Sequence, residues 1–222
     1  MVTLTPEQST QLLAALRHSR MYWPTLLALA TGMRRGEICA LRWRSVNLDR
    51  GVVRVVESLE QVRTAIRFKA PKTEKHRGVT LPAFAVEELR RLRLQQAEEL
   101  LVLGIRQSGD TLVCGRADGG PHLPQSITYE FGRFVAKLPL PRVRFHDLRH
   151  SHATQLLASG VHPKIAQERL GHSTITTTLD LYSHVTDTMQ AEAAERLGEA
   201  WRSAGSKVGS IQPPAANTKP EK

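Results

Sequence analysis

Hydrophobic and polar positions repeat with a helical period through most of the chain, interrupted once by strand-like alternation. Thr5-Pro6-Glu7 opens a first helix with a capping residue, a proline in the first turn and an early acid, and Leu12, Leu13 and Leu16 then fall on one face. A second helix is expected from Pro24 to Ala30. A third begins near Arg34, after Thr31-Gly32, and carries Ile38 and Leu41 inward. The turn-rich residues 47–51 change the period. Residues 52–56 are β-branched and predict a strand, 61–69 predict its partner, and 76–81 a third strand, with 70–75 as a polar turn. Helical spacing resumes over 83–103 through Val86, Leu89 and Leu92. A loop is expected over 104–121, followed by helices over 124–137, 146–158, 163–170, 174–182 and 188–201.

From residue 203 the chain is Gly, Ser, Pro, Ala and Lys without periodicity, which predicts a disordered tail over 203–222. The fold class is therefore α+β, mainly α-helical with a small antiparallel three-stranded sheet, in one domain over 1–202. A chain of 222 residues is long enough for one full core. No apolar run approaches the roughly 18 to 20 residues of a membrane span, and the N-terminus lacks the order of a signal peptide. Cys39 and Cys114 make no disulfide framework, and Cys39, inside Ile38-Cys39-Ala40-Leu41, reads as a small buried residue. These features predict a cytoplasmic protein with no membrane partner.

Charge changes the picture. The formal net charge is +10 and points to a polyanionic partner. Its distribution is uneven: residues 34–77 hold twelve Lys or Arg against five Asp or Glu, and in 133–152 five basic residues face only Asp147. Two basic segments far apart in sequence, each inside an ordered pattern, favour a DNA-binding face over a merely solvated surface.

Five short elements occur in order: Thr31-Gly32-Met33-Arg34-Arg35-Gly36-Glu37, Pro71-Lys72-Thr73, His146-Asp147-Leu148-Arg149-His150, Leu170-Gly171-His172 and Tyr182-Ser183-His184. Together they resemble the tyrosine recombinase (phage integrase) family, and the phrasing of 145–154 and 181–185 is similar to bacterial phage and conjugative-element integrases. The resemblance covers residues 3–200. It implies the DNA breaking-rejoining fold of that family's catalytic domain. It also implies Arg34 and Arg149 as the arginines on the scissile phosphate, Lys72 as the hairpin lysine, His146 and His172 as the two histidines, and Tyr182 as the nucleophile. Glu37 matches the acid that supports the first arginine. The implied partner is double-stranded DNA, on which the chain self-associates as a tetramer in the bacterial nucleoid. Complete members carry an N-terminal helical DNA-clamping domain, which is expected to be absent here because Met1 precedes the matching region by only a few residues.

The chemistry asks for these residue types independently. Breaking a phosphodiester without water needs a side chain able to hold the phosphate covalently. A free Tyr with a pKa near 10 is about one part in a thousand ionised at neutral pH. Two guanidiniums can grip the non-bridging oxygens and stabilise the growing negative charge. A hairpin lysine can protonate the leaving 5′-oxygen, and imidazoles can move the tyrosine proton. Neither ATP nor a metal is required, because the phosphotyrosine bond retains the energy for religation, so no cofactor is expected.

Each residue alone has an ordinary explanation. Arg34 fits a helix-start arginine paired with Glu37, and His146, Arg149 and His150 fit a solvated stripe. Lys72 fits a turn residue, with Lys69 and Lys75 near enough to take its role, and Tyr182 fits an amphipathic core residue. Joint order and spacing favour the catalytic reading. Among rival nucleophiles, Tyr22 beside Trp23 reads as packing, and Tyr129 has no clustered bases around it. A zinc helix at 146–150 is disfavoured by the short Asp147 and by Arg149 on the ligand face. Residues 163–178 scan as a helix-turn-helix, which leaves Arg34 and Lys72 unexplained. It keeps open the alternative of a truncated, catalytically inactive remnant that acts only as a DNA-binding module.

Overall fold

The computed structural model describes residues 2–63, 65–69, 76–179, 194–195 and 197–204. The chain divides into two compact units, Met1–Ser183 and His184–Lys222. In the second, residues 194–195 and 197–204 are helical, with Arg202 paired to Glu195 at 3.5 Å. The helical segment thus includes Ser203 and Ala204, and the rest of the expected tail lies outside the described residues. The first unit carries the sheet strands and helices that surround the core.

Its helices follow the sequence periods closely. Helix α1 (Pro6–Leu16) starts at a capping box in which Thr5 and Gln8 exchange hydrogen bonds, and it buries Leu12 and Leu16. Helix α2 (Tyr22–Thr31) is buried on nearly every side and ends at Gly32, whose φ of +66° is the left-handed conformation that favours glycine. A Cβ there would also lie 2.6 Å from the His152 ring and 2.7 Å from Leu170, so Gly32 is needed for close approach as well. Helix α3 (Arg35–Ala40) follows at once, and Ile38 and Cys39 are fully buried, as the sequence predicts.

The strand region departs from expectation. Strands β1 (Val46–Asn47), β2 (Val52–Val55) and β5 (Arg77–Thr80) form the three-stranded antiparallel sheet, in the order β1-β2-β5. The run 61–69, expected to be one strand paired with 52–56, instead belongs to a separate hairpin, β3 (Ser58–Val62) against β4 (Ala65–Lys69), in register from Ser58↔Lys69 to Val62↔Ala65. Burial explains the partition. Val53, Val55 and Val79 share the core face of the three-stranded sheet, whereas the hairpin offers only Leu59 to the core. The polar turn expected at 70–75 lies outside the described residues.

Helix α4 (Ala83–Val102) crosses the outside of the core, and Gln96 receives the Trp43 indole hydrogen at 2.6 Å. Helix α5 (Pro124–Val135) buries Ile127 and Phe131, and Phe131 meets Phe145 edge to face at 5.4 Å. Helix α6 (Asp147–Ala158) packs on α2 and α7 (Pro163–Leu170) on α6 through Ala153, Leu157, Ala166 and Leu170. The short α8 (Thr176–Leu179) ends the described part of this unit. No helix among the described residues is long and apolar enough to cross a membrane.

Candidate active site

Arg34 stands at the start of α3, directly after the Gly32 turn, and Glu37 sits one helical turn further on. Glu37 is buried, and both of its oxygens are occupied twice. Oε1 accepts from Arg34 Nη1 at 3.1 Å and Arg77 Nη1 at 3.0 Å, while Oε2 accepts from the Arg34 backbone N–H at 2.8 Å and Arg77 Nη2 at 2.6 Å. Burial by itself would favour the neutral acid. The Arg77 hydrogen bonds and charge, with Arg34 behind them, outweigh it and hold the carboxyl below its ordinary range. The ordinary reading of Arg34 and Glu37 as a solvated surface pair therefore fails for Glu37, although the Arg34 side chain is 45% exposed and open to a ligand.

Arg149 lies on the inward face of α6 and is only 4% exposed. Its Nη1 donates to the Gly32 carbonyl at 2.5 Å and its Nη2 to the Leu170 carbonyl at 2.7 Å. Burial, reinforced by the charge of Arg34, lowers its pKa to about 9, so the guanidinium remains charged at neutral pH. Two further arginines reach the neighbouring carbonyls: Arg77 Nε donates to Arg169 at 3.0 Å, and Arg34 Nη2 to Gly171 at 3.0 Å. Three guanidiniums from α3, β5 and α6 thus converge on three successive carbonyls at the C-terminus of α7. Those carbonyls have no partner within the helix and carry the negative end of its dipole. With Glu37 as the one carboxylate in the cluster, two positive charges remain in excess.

The histidines surround this cluster. His146 precedes α6, is exposed, and meets His150 edge to face at 4.9 Å. Partial desolvation of the two facing rings lowers the pKa of both, with the charge of Arg149 adding to it. His172 follows Gly171, and its Nδ1 lies 2.9 Å from the Thr178 hydroxyl. Burial, then Arg149 and Arg34, push it down to about 4. All three rings are therefore neutral imidazoles near pH 7, each able to accept a proton. Asp147 supports the start of α6 by accepting from the Arg144 backbone N–H at 2.8 Å and from its guanidinium.

A groove of about 630 Å³ adjoins the cluster, with Arg34, Arg35, Arg144 and His146 on its walls, α5 on one side and the β3–β4 hairpin on the other. Of the residues singled out from sequence, Arg34, Glu37, His146, Arg149 and His172 come together here. Lys72 and Tyr182 lie outside the described residues, Tyr182 three positions beyond the end of α8. Tyr22 is buried edge to face against Trp23 at 4.8 Å, as expected for packing, and Tyr129 is 77% exposed on α5. Sequence reasoning missed Arg77 as part of the site. Its only signal was membership of the basic segment, because nothing in the order of residues tells which of twelve cations turns inward. Among the described residues, no cluster of three or more His, Cys, Asp or Glu is placed to hold a metal ion.

The phage integrase family matches residues 2–189 of the chain. A tyrosine recombinase XerC-like protein of Caldanaerobacter subterraneus is 29% identical over 211 residues, which cover 89% of this chain and 54% of the relative. The ICEBs1 integrase of Bacillus subtilis is 29% identical over 197 residues, covering 87% of this chain and 53% of that protein. Among solved structures, the Tn1549 transposon integrase in complex with transposon right end DNA superposes with a TM-score of 0.74 at 26% identity, over 89% of this chain and 66% of the other. The chain spans about half the length of the curated relatives it matches. Its fold is that of tyrosine recombinase catalytic domains, mainly helical with a small antiparallel sheet.

Proposed function

The chain belongs to the phage integrase family, and on that premise we propose that it cuts and rejoins double-stranded DNA through a 3′-phosphotyrosine bond on Tyr182. The observation that carries this reading is the convergence of Arg34 and Arg149 on the α7 terminus, with His172 next to Gly171 and His146 on the same groove as Arg34. In the reaction the Tyr182 phenolic oxygen attacks the scissile phosphorus, and the bond from phosphorus to the 5′-oxygen breaks. The phenolic proton passes to an imidazole, His172 or His146, and the leaving 5′-oxygen takes a proton from Lys72. Rejoining runs the same steps in reverse. Arg34 and Arg149 bind the non-bridging oxygens, where the two excess positive charges match the second negative charge that develops in the transition state. An arriving phosphodiester offsets the cations that depress His172, so the ring becomes a better proton acceptor when substrate is bound.

Exchanging both strands of two duplexes takes four cleavages, and each copy of the chain holds one Tyr182. A tetramer assembled on DNA, within the bacterial nucleoid, is the corresponding assembly.

The test is a nicked duplex whose short fragment diffuses away after cleavage and traps the adduct, followed by peptide mapping. Wild type should become attached at Tyr182, and Tyr182→Phe should bind DNA and form no adduct. DNA binding by wild type without any adduct would instead support the DNA-binding remnant. A second substrate isolates the acid: with sulfur in the 5′-bridging position the leaving group departs without a proton. Lys72→Ala should be slow on normal DNA by about 100-fold or more and recover on the sulfur substrate. If it stays slow there while wild type cleaves, the acid is another residue.

A further inference from the structure

The cluster contains an arginine that the proposed chemistry does not use. All three guanidinium nitrogens of Arg77 are engaged, two on Glu37 and one on the Arg169 carbonyl, and its side chain is only 15% exposed. Its fork lies on Glu37 and its Nε on the α7 terminus, so each of its contacts is with another part of the protein. Its contacts brace Glu37 against the α7 terminus, beside the bond that Arg34 makes to the Gly171 carbonyl. Glu37 belongs to α3, which Arg34 caps, and the carbonyl belongs to the α7 terminus that holds Arg149 and Arg34.

We propose that Arg77 is a positioning residue, which clamps the Glu37 carboxylate to the α7 C-terminus and thereby fixes the separation and direction of Arg34 and Arg149. The proposal rests on the recombinase reading for its effect on rate, but the geometry stands independently of it. Glu37 divides its two oxygens evenly between Arg34 and Arg77. Without Arg77, two acceptor positions on a buried carboxylate fall vacant, and Arg34 is the nearest donor able to fill them. The Arg34 guanidinium is then drawn inward, away from the Gly171 carbonyl and away from a phosphate. Arg77→Lys keeps the charge but offers no planar fork, so it cannot reach both Glu37 oxygens and the Arg169 carbonyl together.

Single-turnover adduct formation and DNA affinity are measured for Arg77→Ala, Arg77→Lys, Arg34→Lys and the double variant Arg34→Lys/Arg77→Ala. Both Arg77 variants should slow adduct formation by about 100-fold, the scale of one lost transition-state donor, while affinity changes by less than about threefold. Because Arg77 acts through Arg34, adding Arg77→Ala to Arg34→Lys should slow the reaction by no more than about threefold further. Full additivity, equal losses in rate and affinity, or a wild-type rate in Arg77→Lys would each overturn the proposal. A crystal structure of Arg77→Ala reads the geometry without activity, and Arg34 should have left the Gly171 carbonyl. If both arginines keep their wild-type contacts, Arg77 positions nothing, whatever the rates. A wild-type chain that forms no adduct would sink the recombinase reading alone and leave the crystal structure to decide on Arg77.

Discussion

Gly171 illustrates how a single position serves two constraints. It ends α7 with φ +67°, in the left-handed region, and a Cβ there would lie 2.9 Å from Arg77 Nη1 and 3.1 Å from its Cδ. Gly171→Ala is therefore expected to cost about 1–3 kcal/mol in backbone strain and to push Arg77 off Glu37. Urea unfolding should show the lost stability, and adduct formation should slow beyond what the unfolded fraction explains. Wild-type values in both would mean that the close approach is not required. The Leu170-Gly171-His172 element was legible as a motif, yet the reason for its glycine was not. That reason arrives from β5, 94 positions earlier in the chain, in the side chain of Arg77.

At the scale of elements, α2, α6 and α7 are joined by a buried polar link as well as by apolar packing. His152 on α6 donates from Nδ1 to the Leu29 carbonyl at 2.7 Å and accepts at Nε2 from Arg169 at 3.1 Å, which fixes its neutral tautomer. Arg169 also donates to the Ala30 carbonyl at 2.9 Å. Burial, with Arg169 next, lowers the pKa of His152 from 6.5 to about 4. A histidine depressed by folding is protonated first in the unfolded chain. Its contribution is fully present above pH 6.5 and is lost as pH falls from there to about 4. The loss over that window is up to about 3 kcal/mol for this buried group, and His172 adds to it with the same sign. Glu37 and Asp147, whose carboxyls are held low, lose their contributions as pH falls from their ordinary values of 4.5 and 3.8. Denaturant titrations at a series of pH values should show this decline, and it should be shallower in His152→Gln, with the share of His172 remaining. Constant stability from pH 7 to pH 4 would contradict the assignment. The sequence placed His152 inside a motif without marking it, because its burial depends on the backbone turn at Gly32.

The whole molecule carries a net charge of +10, and several of its cations line one groove at the candidate site. Duplex DNA binding should therefore be steeply dependent on salt. An affinity loss of at least about tenfold between roughly 50 and 200 mM salt is expected from a few phosphate contacts. Titrating labelled duplex at several salt concentrations measures it, and an affinity indifferent to salt would remove electrostatics as the basis of binding.

The sequence by itself determined the helical periods, the capped start of α1, the buried Ile38-Cys39 turn and the order of the motif residues. Each of these is a local property, set by which side of an element is apolar or by which residue a turn admits. Tertiary structure alone decided the rest. Residues 61–69 alternate well enough for one strand, yet they turn back through Arg63 at φ +53°, without the Asn-Gly or Asp-Gly signal that would have announced a two-residue turn. Arg149 shares a helical spacing with His146 and His150, yet it is the member that faces inward, because carbonyls of Gly32 and Leu170 wait there to receive it. That Arg77 turns inward onto Glu37 is likewise absent from composition and spacing. It follows from where the end of α7 comes to rest, since a charge can be buried only where acceptors from distant parts of the chain meet it.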